Sequence, residues 1–194
     1  MKYPLQLILA SCALFFIASQ NLLAHDETGA TTNGTHSLPG ANLWNQSQEP
    51  TNWWNEIKQA HGHVGPWNVI GWRIGKAALR DLNVKWGEHE LEIVCHIPLD
   101  MPYSCTADGL VVGTGNSIGR LDLRLAEELS AAEIHVSIRR KDGTGPVLVF
   151  KPGAAYLEKI RSRPVSELEA LARECGDLPE KELFTIERVA APKP

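Results

Sequence analysis

Apolar positions along this chain follow three different rules. Residues 5–18 are a nearly unbroken apolar run, with Lys2 ahead of it and Leu22-Leu23-Ala24 behind it. This is the layout of a cleaved export signal over residues 1–24, too short and too lightly flanked for a stable membrane span. Residues 25–49 carry no apolar period and are rich in Thr, Gly, Asn, Ser and Gln, which predicts a disordered leader. Period and alternation then take over. Thr51 or Asn52 caps a helix that runs to Ala60, and from Pro66 to Leu82 apolar residues recur at helical spacing for about four turns. Pro66 suits the first turn, where its missing N–H costs nothing.

Further along, LEIVCHI at residues 91–97 is β-branched and apolar enough for a buried strand. Residues 121–125, LDLRL, alternate strictly. EIHVSIRR and PVLVFKP flank Lys141-Asp142-Gly143-Thr144 and predict a hairpin. Residues 154–161 and 166–175 read as helices, the second with Ser166 and Glu169 as a capping box and Gly176 at its end. A last strand is expected over residues 183–189, and residues 190–194 form a tail. The pattern predicts one α+β domain over residues 50–189. Gly71 and Gly75, four apart on one helical face, cost helix propensity unless another backbone comes close there. Five of the six tryptophans fall between Trp44 and Trp72, a placement that serves helix packing more often than a pocket.

The chemistry concentrates in two stretches. His61-Gly62-His63 stands just before the helix at Pro66. In an extended segment the two side chains leave one face, and the positive end of the following helix favours neutral imidazole, the metal-binding form. Two capping or core histidines would satisfy the same spacing. In MPYSCTADGLVVGTGNSIGR, residues 101–120, Ser104 is a candidate N-cap, and Cys105 and Asp108 share a helical face near a helix N-terminus that stabilises a thiolate. The glycine-rich residues 113–119 fit neither nucleotide fingerprint and read as a tight turn. Cys95 and His96 point to opposite faces of their strand, with Cys95 expected as a small core residue and His135 on a half-exposed sheet face. Export leaves Cys95, Cys105 and Cys175, an odd number in an oxidising compartment. A Cys95–Cys105 bridge therefore rivals any metal role for Cys105. Cys12 lies mid-run, so lipidation there is the minor reading.

Taken together, His61, Gly62, His63, Pro66, Gly71, Arg73 and Gly75, followed by Pro102, Ser104, Cys105, Asp108, Gly109, Thr114, Gly115, Gly119 and Arg120, resemble the domain family named after the E component of formylmethanofuran dehydrogenase. The resemblance implies a thioredoxin-like mixed β-sheet flanked by helices, and a site that binds zinc in some members. It nominates His61, His63 and Cys105 as metal ligands for Zn2+ or another divalent transition metal, and Cys105 and Asp108 as catalytic residues. Relatives often carry cysteine where this chain has Gly65, and some carry a C-terminal cysteine-rich zinc finger that is missing here.

Charge narrows the partners. With 19 basic against 23 acidic side chains the net charge is −4, and loss of Lys2 makes the mature chain more acidic still. No basic surface for nucleic acid is expected, and no membrane association after cleavage. Three classes remain: a metal-binding protein, a hydrolase or lyase using metal-activated water, and an accessory module for a small ligand or a redox enzyme. A homodimer suits any of them. The expected location is periplasmic or secreted.

Overall fold

The computed structural model describes residues 48–191. The expected export signal, most of the expected leader, Trp44 and residues 192–194 lie outside the described residues. Asn52 caps the first helix, α1 (Trp53–His61), its side chain accepting from the Asn55 N–H at 3.1 Å. Helix α2 spans Pro66–Leu82, with Pro66 as its first residue. Strand β1 (Leu91–Ile97) follows, then helix α3 (Cys105–Thr114), strand β2 (Leu123–Glu127), strands β3 (His135–Arg140) and β4 (Val147–Pro152), helices α4 (Ala154–Arg161), α5 (Leu168–Asp177) and α6 (Glu180–Leu183), and strand β5 (Phe184–Val189).

Among the described residues five strands make one mixed sheet in the order β2-β1-β3-β4-β5. Strand β2 runs parallel to β1, and each remaining neighbour is antiparallel. A parallel pair needs a crossover, which α3 supplies, whereas β3 and β4 need only the expected tight turn. Alternation sorts the faces. Leu91, Ile93, Cys95, Val136, Ile138, Leu148 and Phe150 are buried in one core cluster with Ile70 and Ile74 of α2 and Leu110 of α3. The alternate positions Glu92, His96, His135, Ser137 and Lys151 are half-buried or exposed. The α+β single domain expected from the pattern is therefore the observed architecture.

Two local expectations are corrected. The alternation at residues 121–125 is not the strand: Leu121 sits at φ +58° and is 88% exposed, and β2 starts only at Leu123. Asp122 is the reason, because its buried carboxylate accepts the Ser117 N–H at 2.7 Å and faces His89 and Lys141, anchoring a turn where a strand residue was expected. Likewise Ser166 makes no capping box. Pro164 starts a 3-10 turn over Val165–Glu167, so Ser166 is already inside it, and Glu169 pairs with Lys58 and Arg173. Gly176 lies within α5, where its carbonyl accepts from Arg73 Nη1 at 2.6 Å.

The tryptophans serve packing. Trp53 stacks on Trp72 with centroids 4.1 Å apart, Arg173 lies over Trp54, and Trp67 meets Tyr103 and Tyr156 edge to face. The glycine-rich residues after α3 are structural too. Gly115 ends the helix in the left-handed conformation, and Asn116 donates to the Leu91 carbonyl at 2.9 Å, stitching the end of α3 to the start of β1.

Candidate metal centre

Helices α2 and α3 touch backbone to backbone. A Cβ on Gly71 would lie 2.1 Å from the Thr106 carbonyl oxygen, and one on Gly109 would lie 2.0 Å from that of Asn68. The close approach expected for the Gly71 and Gly75 face is met by backbone of Thr106, Leu110 and Gly113, and Gly109 and Gly113 of α3 in turn meet backbone of Asn68 and Trp72. Asn68, fully buried, locks the two helix starts together. Its Oδ1 accepts the Gly65 N–H at 2.8 Å and its Nδ2 donates to the Cys105 carbonyl at 3.0 Å. Tyr156 adds a 2.6 Å hydrogen bond from its hydroxyl to the Pro66 carbonyl. The backbone around Cys105 and Asp108 is thereby fixed relative to the His61–Pro66 segment.

At that junction His61 Nδ1 lies 2.8 Å from Asp108 Oδ2, and the His61 and His63 rings are 4.7 Å apart. The pair is not extended, as the i, i+2 argument supposed. His61 is the last residue of α1, and Gly62, at φ +91°, turns the chain so that His63 folds back beside it. His61 thus stands at the carbonyl end of one helix as well as before the start of another. With a carboxylate accepting at Nδ1, the neutral ring carries its proton there and keeps a lone pair at Nε2. That Nε2 is buried and has no hydrogen-bond partner.

Cys105, the first residue of α3, is 8% exposed. Its thiol is pushed up, first by burial and then by the Asp108 carboxylate. The thiolate-stabilising effect expected from the helix end is outweighed, and a nearby cation is what would reverse the balance. Cys95, Cys105 and Cys175 are all free and buried, so the rival Cys95–Cys105 bridge is not formed. Cys95 faces the core, as expected, with burial pushing its thiol up to about 12.

The sequence model of the family described as FmdE, molybdenum formylmethanofuran dehydrogenase operon, matches residues 60–185. The chain belongs to the FmdE family. The match opens one residue before His61 and closes inside β5, so both motif stretches and most of the sheet fall within FmdE territory. No curated protein matches the chain.

The FmdE domain here also carries a cluster that the motif stretches did not include. His96, Glu128 and His135 each offer a ligand atom, all within 4.8 Å of one another, and among the described residues this is the group of three with spacing fit to hold a metal. At the helix junction His61 contacts Asp108 and His63, and no three of His61, His63, Cys105 and Asp108 bring ligand atoms to that spacing. The β1/β3 register sets His96 opposite His135, with rings stacked 4.0 Å apart and 9° from parallel. His96 Nδ1 is 3.2 Å from Glu128 and its Nε2 is 3.3 Å from the Ser137 hydroxyl. Burial, then the neighbouring His135, lowers the His96 pKa against the opposing pull of Glu128. Sequence reasoning placed His135 on the correct face. The signal that unites it with His96 is a strand register, which no local motif encodes.

Proposed function

We propose that this FmdE-family chain is an exported metal-binding protein whose principal site is built by His61, His63 and Cys105, with Asp108 holding His61 in place. The observation that carries this reading is His61: a carboxylate engages Nδ1 while Nε2 is buried without a partner. A ligating histidine characteristically gives its second nitrogen to a carboxylate, which sets the tautomer and strengthens the donor. A buried polar atom with no partner is costly, and a metal ion at Nε2 removes that cost. The donor chemistry therefore fits the group, and two imidazoles with one thiol favour Zn2+ or a similar divalent transition metal. Such an ion supplies Lewis-acid character when bound. The chain's own part is to orient His61 through Asp108, to anchor Cys105 through the Asn68 bridge, and to give up the Cys105 proton on binding. With Gly65 where relatives often offer a thiol, a coordination position stays free for a small molecule. Export rests on the apolar run behind Lys2, and N-terminal sequencing beginning near His25 is its check.

Cobalt titration under reducing conditions tests the site. The expected result is a sulfur-to-metal charge-transfer band in the parent that disappears in Cys105→Ser, with zinc affinity in His63→Ala lowered at least about tenfold. A parent that shows no such band when fully reduced overturns the proposal.

A further inference from the structure

The sheet's open face holds a group that neither the FmdE motifs nor the helix junction accounts for. Three ligand positions are each held by backbone. His96 and His135 are direct partners across the β1/β3 ladder, and the Glu128 N–H donates to the Ile97 carbonyl at 2.9 Å, keeping Glu128 beside the end of β1. His135 Nδ1 donates to the Glu133 carbonyl at 2.8 Å, in a turn capped by the Ser130 side chain. A carbonyl can only accept, so the neutral His135 ring carries its proton on Nδ1 and leaves Nε2 as a free ligand atom. A carbonyl on the second nitrogen is also what commonly orients a metal-bound histidine.

We infer that His96, His135 and Glu128 form a second divalent transition-metal site, independent of the helix junction and containing no sulfur. Two imidazoles and a carboxylate are a donor set suited to Zn2+, and three protein ligands leave a fourth position open. Glu128 and His135 also line a groove of about 680 Å³, together with Lys151 and Thr185. Bond lengths of roughly 2.0–2.2 Å in a tetrahedron put donor atoms about 3.4 Å apart, and the three ligand atoms here already lie within 4.8 Å of one another.

The test uses the full mature chain carrying His63→Ala and Cys105→Ser, which removes the sulfur site. Calorimetric titration with Zn2+ should give one remaining ion per chain. Adding His135→Gln or Glu128→Gln should lower that affinity at least about tenfold, and zinc should raise the melting temperature of the double variant but not of the triple ones. Histidine ring resonances of His96 and His135 should shift together on zinc addition, as ligation by both rings requires. Absence of zinc binding in the double variant overturns the inference, as does binding that persists unchanged in both triple variants. Because the sulfur ligand is absent throughout, either result leaves the helix-junction proposal to its own cobalt test.

Discussion

The helix junction and the open sheet face are built on opposite principles. At the junction, glycines on both helices bring the α2 and α3 backbones into contact, and Asn68 bonds both helix starts, so Cys105 and Asp108 hang from a closely packed frame. On the sheet face, His96, His135 and Glu128 are placed by strand register, and their half-buried side chains are tied by side-chain hydrogen bonds and one ring stack instead of by backbone contact. A site on close-packed helices is sensitive to volume. A site on an open face is sensitive mainly to the identity of its donors.

Volume substitutions provide the largest contrast. A Cβ at Gly109 or Gly71 would lie about 2 Å from a carbonyl oxygen of the facing helix, so Gly109→Leu or Gly71→Leu must push the helices apart. The expected cost is at or above the upper end of roughly 1–3 kcal/mol, a fall of several degrees or more in melting temperature. His135→Gln should stay within about 0.5 kcal/mol of the parent. Thermal melts of the three variants side by side break the comparison if the glycine variants melt like the parent.

Alkaline pH probes the tightness of the packed interior next. Burial pushes the Cys95 thiol up to about 12 and the Cys175 thiol up to about 11, from 9.0. The folded chain then keeps protons that the unfolded chain has released, so stability is full below pH 9 and declines as pH rises towards 11 and 12. Each unit is worth about 1.4 kcal/mol per thiol. Urea midpoints measured from pH 8.5 upwards should fall less steeply in Cys175→Ala than in the parent. Equal slopes would mean that Cys175 is open to solvent.

Asp108 gives the smallest and most local effect, in two directions at once. Asp108→Asn removes the carboxylate on His61 and should weaken metal binding at the sulfur site by about 10–100-fold. It also removes one of the two causes that raise the Cys105 thiol, so alkylation of metal-free Cys105 at neutral pH should become faster. Weaker metal binding without faster alkylation would mean that the substitution distorts α3 instead of changing its charge.

Local sequence determined a good deal of this protein. Pro66 set the start of α2, Asn52 capped α1, and the alternation of residues 135–140 and 147–152 specified a hairpin with its apolar face inward. The glycine spacing announced a backbone contact, because a glycine pair on one helical face has little other use. These features depend on residues within a few positions of each other, where propensity and periodicity act directly. Tertiary structure decided the rest. Leu121 left its alternating run because Asp122 was needed as a buried anchor, and His61 joined a helix end because Gly62 allowed a left-handed turn. Cys105 became a poorly ionised thiol because burial and Asp108 outweighed the helix dipole. The His96–Glu128–His135 group exists only in the register of β1, β2 and β3, where residues dozens of positions apart become neighbours through long-range strand pairing.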